Sequence, residues 1–208
     1  IRDRAYTEVR AQNGLSWLFI LSILATFFIM PVGVLFPLMT LEHYSGNAYQ
    51  ISLVEAAWGS GALLGGAFLG IKKFRLNEIS LINWMYILLG ITFLLSGVLP
   101  VSGYPLFVGL TVIGGISGAL YMASFTTVMQ TRINPVVMGR VFSFYMSVSL
   151  LPSMIGLLST GFLADTIGIG NTFIIGGVLV GAIGLISFVS PAIKSLKKSF
   201  DLFRSDPD

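Results

Sequence analysis

The chain has 208 residues, of which 55% are hydrophobic and only 10% charged, whereas a soluble domain usually carries about 25% charged residues. Together with a mean hydropathy of +0.88, this excludes an ordinary water-soluble domain, and the absence of cysteine excludes a disulfide framework or a thiolate metal site. The net charge of +3 does not point to nucleic acid, because the basic residues sort by membrane side, as the elements in chain order show.

A hydrocarbon core about 30 Å thick takes about 20 apolar residues to cross, and lipid offers no partner for backbone polar groups, so such runs must be helical. Residues 1–13 are charged and polar, with no basic-then-apolar leader pattern, and read as a linker inside a longer protein. Six spans follow, over about residues 14–39, 48–71, 78–99, 103–130, 136–164 and 170–193. The uncharged run from Ile79 to Thr131 is too long for one helix, and the turn residues Pro100, Ser102, Gly103 and Pro105 split it. Asn134-Pro135 opens the fifth span, since proline is tolerated in a first turn. Residues 194–208 read as a polar tail.

All twelve Lys and Arg residues fall in one set of segments: Arg2, Arg4 and Arg10; Lys72, Lys73 and Arg75; Arg132 and Arg140; and Lys194, Lys197, Lys198 and Arg204. The opposite loops carry Glu42, His43 and Asp165 instead. Basic loops stay on the cytoplasmic side, so both ends of the chain are expected in the cytoplasm of a multi-pass plasma-membrane protein, the inner membrane in a bacterium.

Ala62–Gly70, closing the second span, is identical to Gly156–Ala164, closing the fifth, at four of nine positions. The two segments lie three spans apart and therefore cross in opposite directions, the pattern of an inverted three-plus-three repeat. The glycine pairs Gly61/Gly65, Gly66/Gly70, Gly114/Gly118 and Gly177/Gly181 have the four-residue spacing that lets membrane helices approach closely.

Glu55 is the carboxylate well inside a span, and Trp58, three residues on, shares its helix face. A carboxylate in lipid is costly and should face a cavity or partner. Burial disfavours its charged form, which makes Glu55 a candidate proton carrier; a solvated position at the outer interface is the alternative. Tyr121 and Phe125 share a face of the fourth span, and with Trp58, Tyr145 and Ser149 they could wall a cavity for a large, partly apolar ligand. Trp84 and Tyr86, near the basic side, read as interfacial anchors. Arg132 and Arg140 flank one turn and could form a charge latch to a partner domain. No cofactor is expected.

Four stretches carry a resemblance: Leu53–Gly66 with Glu55 and Trp58, the basic loop Gly70–Arg75, Asn134–Ser143, and Gly161–Asp165. In these the chain resembles the major facilitator superfamily, and more narrowly the C-terminal half of macrolide-efflux-type and related multidrug exporters. The family's loop after the second helix of a half usually carries an aspartate after glycine; here it reads Gly70-Ile71-Lys72-Lys73. The resemblance implies a twelve-helix transporter of two six-helix halves, so the expected partner is the N-terminal half. It implies alternating access about a central cavity lined by the first, second, fourth and fifth spans of each half, driven by protons or another ion. The expected activity is proton-coupled efflux of a small amphipathic compound, not catalysis. A scaffold subunit and a channel remain alternatives. An intramembrane serine protease built on Gly115-Ile116-Ser117-Gly118 would need a histidine on a later helix, and the single histidine, His43, precedes it.

Overall fold

A computed structural model describes residues 13–71 and 77–197. Among the described residues, six helices are long and apolar enough to cross a membrane. They are α1 (Asn13–Val34), α2 (Ala48–Ile71), α3 (Glu78–Val98), α4 (Tyr104–Arg132), α5 (Pro135–Ile167) and α6 (Ile169–Val189). The basic residues Lys72, Lys73 and Arg75, and those of the first twelve and last eleven residues, lie outside the described segments.

The ends of the helices follow from local chemistry. The Asn77 side chain accepts a hydrogen bond from the Ile79 N–H at 3.0 Å and opens α3; Asn134 does the same for Val136 at 3.0 Å ahead of Pro135 in α5. At α2, Asn47 and Gln50 exchange backbone-to-side-chain bonds of 3.0 and 3.2 Å, a capping box. Gly168, at φ +86°, makes the single-residue link from α5 to α6, a conformation that glycine adopts without penalty.

Two ends differ from the simplest reading of the hydropathy. Helix α1 stops at Val34, and the chain continues through a short helical turn, Phe36–Leu38, and a π-helical turn, Met39–His43. Pro31 and Pro37 are the cause, because neither can donate the backbone bond that a straight helix needs. At the other end, α6 stops at Val189 because Ser190 precedes Pro191 and is held extended (φ −54°, ψ 120°). Residues 191–197 are again helical, and they bury Ile193 and Leu196. This segment lies against the start of α1, where a Cβ on Gly14 would stand 2.6 Å from the Ala192 carbonyl oxygen.

The packing has an internal symmetry. Helix α1 packs on α5 and α6, α4 packs on α2 and α3, and α3 and α6 pack on each other. Exchanging α1 with α4, α2 with α5 and α3 with α6 maps these pairings onto one another. This is the inverted three-plus-three repeat, and the two similar segments sit on equivalent interfaces. Gly65 of α2 approaches the Ile116 carbonyl of α4 (2.9 Å to a built Cβ), and Gly156 of α5 approaches the Phe27 carbonyl of α1 (2.6 Å). Phe27 O is the carbonyl that Pro31 leaves without its helical donor, so a Cα–H contact there is well placed.

The α3–α6 seam is the most extensive. A Cβ on Gly90 would stand 2.6 Å from the Gly181 nitrogen, and one on Gly177 2.4 Å from the Leu94 nitrogen. Ser187 donates to the Asn83 amide oxygen across the same seam at 2.5 Å, with both residues buried. By contrast, only 22% of the most apolar stretch of α2 and 28% of that of α5 are buried, against 56% in α3. These two repeat-related helices therefore present most of their surface outward.

Candidate functional site

Arg132, Arg140, Lys194 and Lys197 fall at one end of the bundle; Glu42, His43 and Asp165 fall at the other. The far end is tied together by polar contacts. The His43 Nε2 lies 2.8 Å from the Leu99 carbonyl, and the Tyr104 hydroxyl donates to the Gln50 carbonyl at 3.0 Å.

Glu55 lies seven residues into α2, about 10 Å from that far end at about 1.5 Å per residue. Its side chain is exposed from this bundle and borders a cavity of about 250 Å³. The α1 wall is Ile29, Met30, Gly33 and Val34, with Phe36 from the turn that follows. The other walls are Val54, Glu55 and Trp58 of α2, Phe93 of α3 and Thr111 of α4. The break in α1 creates this space, since it lets Phe36 turn inward to meet Trp58 (ring centroids 5.8 Å) and Phe93 (6.0 Å).

The Trp58 ring in turn lies over glycines of α4. A Cβ on Gly114 would stand 2.9 Å from its six-membered ring, and one on Gly118 3.5 Å. The four-residue glycine pair here is thus a seat for an indole. Thr111 donates to the Phe107 carbonyl at 2.8 Å, so its proton is already used. Among the described residues, no side chain forms an ion pair or hydrogen bond with Glu55.

The other residues expected at a cavity form a second cluster, on the basic side of the bundle. Ser22 of α1, fully buried, lies 2.5 Å from the Tyr121 hydroxyl and 2.6 Å from the Tyr145 hydroxyl. Tyr86 adds a third phenol, its ring 4.8 Å from that of Tyr121 and its hydroxyl buried without a bond of proper geometry. Phe125 packs against Tyr145 at 5.0 Å, and Phe19 against Tyr145 at 5.3 Å. Phe125 is 2% exposed and Tyr145 8%. These rings therefore fill the interior of the six-helix bundle, and Tyr121, half-buried, stands at its edge. Ser149, one turn beyond Tyr145, is buried with its hydroxyl unpartnered.

Of the residues expected to act together, Glu55 and Trp58 meet at one cavity, while Tyr121, Phe125 and Tyr145 meet in the other cluster. Tyr86, expected at the interface as an anchor, is 1% exposed and belongs to the aromatic interior; Trp84, 58% exposed and edge-on to Phe188, remains outside. Arg132 is half-buried at the end of α4 and Arg140 exposed near the start of α5. Ser117 is fully buried and donates to the Ile113 carbonyl at 2.8 Å, a helix-internal bond. Ser22 and Phe36 escaped the sequence reading. Ser22 is one of three hydroxyl residues in the first span, with Ser16 and Thr26, and nothing in the local sequence set it apart; the two flanking prolines were the signal for Phe36.

A six-helix inverted repeat whose helices are long and apolar enough to cross a membrane is an architecture found in secondary transporters. Residues 5–203 match the Major Facilitator Superfamily, and the chain belongs to that family. It is 35% identical over 190 residues to Macrolide efflux protein A of Streptococcus pyogenes, covering 91% of this chain and 46% of that protein. It is 36% identical over 149 residues to Macrolide efflux protein A of Enterococcus faecalis (72% and 46%). It is 27% identical over 176 residues to the uncharacterized MFS-type transporter YfiS of Bacillus subtilis (82% and 42%). The chain spans about half the length of the curated relatives it matches.

Proposed function

We propose that the chain forms the C-terminal half of a proton-coupled exporter that moves a small amphipathic compound, such as a macrolide, by alternating access. The single observation that carries this is Glu55: a carboxylate inside a span, exposed to an aromatic-walled cavity, with no cationic partner among the described residues. A charge in that setting needs a neutralising ion, and a proton is the ion that a gradient across a plasma membrane supplies. The names of the relatives support drug export as the direction.

In this reading the outward faces of α2 and α5 receive the N-terminal half, and the basic end faces the cytoplasm. Arg132 and Arg140, beside the α4–α5 turn, hold that half from below. Trp58, Tyr121 and Ser149 contribute where the two halves enclose the substrate path, and the Phe125 and Tyr145 rings back that wall.

The test is flux in proteoliposomes containing the complete transporter. An imposed proton gradient is expected to drive macrolide accumulation in the wild type. Glu55→Gln is expected to lower gradient-driven accumulation by about 100-fold, the scale of losing an essential proton-transfer group, while exchange of labelled for unlabelled substrate at equal pH persists. Gradient-driven accumulation unchanged in Glu55→Gln would remove Glu55 as the coupling residue.

A further inference from the structure

Residues 191–197 form a short helix past the last span, and two lysines stand on it. Helix α6 has 21 residues, about 30 Å at about 1.5 Å per residue, which matches the hydrocarbon thickness of about 30 Å. After the break at Ser190-Pro191 the chain is therefore at the depth of the lipid headgroups. Two contacts hold it there. Gly14, at the start of α1, packs on it so closely that a Cβ would stand 2.6 Å from both the Ala192 carbonyl oxygen and the Leu196 Cβ. The Asn77 amide, which opens α3, donates to the Lys197 carbonyl at 3.2 Å. Exposed Trp17 in α1 and Trp84 in α3 lie at the same end of the bundle, as indoles do near a membrane boundary.

The segment has two faces. Ile193 and Leu196, three residues apart, are buried. Lys194 and Lys197, also three apart, share the neighbouring face, with Lys194 exposed and Lys197 partly so. Among the described residues neither ammonium group forms an ion pair. No Asp or Glu occurs in the sequence between Asp165 and Asp201. The backbone under both lysines is already fixed by packing, so little ordering remains to oppose a ligand. The contacts named here are with α1 and α3, whereas the broad outward faces belong to α2 and α5.

We propose that Lys194 and Lys197 form a docking surface for the headgroup of an anionic phospholipid. The lipid phosphate sits between the two ammonium groups, and the acyl chains run down the exposed apolar side of α6 at Leu185 and Val189. Basic side chains beside a span attract anionic lipid through surface charge, and the long lysine stems let the charge reach the headgroup level. The bound lipid clamps the basic ends of α1, α3 and α6 together. This goes beyond the transport reading and holds whether or not the chain moves a substrate.

The experiment uses the complete transporter in neutral detergent, titrated with phosphatidylglycerol or with phosphatidylcholine of the same acyl chains, and counts bound lipid by native mass spectrometry. The wild type is expected to hold phosphatidylglycerol about tenfold tighter than phosphatidylcholine, with the preference shrinking as salt is added. Lys194→Gln/Lys197→Gln is expected to lose the tightest phosphatidylglycerol, and Lys194→Arg/Lys197→Arg to keep it. Phosphatidylglycerol with a diazirine on its headgroup, in nanodiscs, is expected to label residues 191–197 of the wild type on illumination.

Equal retention of the two lipids by the wild type would overturn the proposal, as would a preference that survives the glutamine pair. Displacement of the lipid by excess inorganic phosphate would overturn the lipid as occupant, by showing an anion site that needs no membrane. Release of the N-terminal half from the glutamine variant would overturn it too, by showing that the lysines pair with protein. Should the glutamine variant fail to stay monodisperse, the labelling decides: adducts on residues 191–197 support the site, and adducts only elsewhere sink it.

Discussion

Valine at Gly115 is expected to prevent assembly of the bundle, whereas valine at Gly109 in the same helix is expected to leave it intact. A Cβ on Gly115 would stand 2.2 Å from the Trp58 carbonyl oxygen and 3.0 Å from the Ala62 nitrogen, both backbone atoms of α2. No rotamer change relieves such an overlap; the two helices must separate. Neighbouring Gly61 makes the reciprocal approach, 2.1 Å from the Val112 carbonyl, so the whole α2–α4 seam would open. Overpacking in a close-packed interior costs about 1–3 kcal/mol when side chains can adjust. With backbone on both sides the cost is expected at or above the top of that range. At Gly109 a Cβ meets nothing within 4 Å. The measurements are the yield of monodisperse protein in detergent and the midpoint of unfolding as SDS is added. A Gly115→Val protein with the wild-type midpoint would show that α2 and α4 do not pack as described.

The second large effect is expected at Ser22. Its hydroxyl bridges two phenols from α4 and α5, at a depth where water is not available to replace it. Ser22→Ala removes both bonds and leaves the Tyr121 and Tyr145 hydroxyls without that partner. A buried polar group left unsatisfied costs about 1–3 kcal/mol, but single hydrogen bonds between membrane helices average only about 0.6 kcal/mol. Two bonds lost at one atom give an expected loss of about 2 kcal/mol. Tyr145→Phe keeps the ring contacts with Phe19 and Phe125 and loses one bond, so about 1 kcal/mol is expected. The double variant should cost less than the sum of the singles by about 1 kcal/mol, because the Ser22–Tyr145 bond can be lost only once. Strict additivity in SDS unfolding would mean that the two hydroxyls do not bond.

The six crossings could be read from the sequence because lipid imposes a simple rule. Uncharged runs long enough to span the bilayer have to be helical, and Pro100, Pro105 and the Asn134-Pro135 pair mark where the chain turns. The pairing of α2 with α5 as repeat equivalents was also visible, in Ala62–Gly70 and Gly156–Ala164. Which face of each helix packs was much less visible. In water an amphipathic stripe marks the buried side, but here both the packed face and the lipid face are apolar. Gly61/Gly65 and Gly66/Gly70 have the same spacing, yet the first pair packs on α4 and a Cβ on either member of the second meets nothing within 4 Å.

The same ambiguity runs through the site. Glu55 and Trp58 were legible as neighbours because three-residue spacing on one helix brings them together. Phe36, Phe93 and Thr111 complete that cavity from three other segments, and no local spacing encodes contacts between helices. Tyr121 and Phe125 were correctly seen to share a face; that this face turns toward Ser22, Tyr145 and Tyr86 is a property of how α1, α3, α4 and α5 converge.

The most direct test of the account is whether this six-helix unit needs a second one to transport. Proteoliposomes would carry either this chain alone or this chain co-purified with the N-terminal half, under the same imposed proton gradient. Macrolide flux is expected with both halves and none above empty liposomes with this chain alone, because the outward faces of α2 and α5 leave its cavity open on one side. Gradient-driven flux by this chain alone, at the rate of the paired halves, would contradict it.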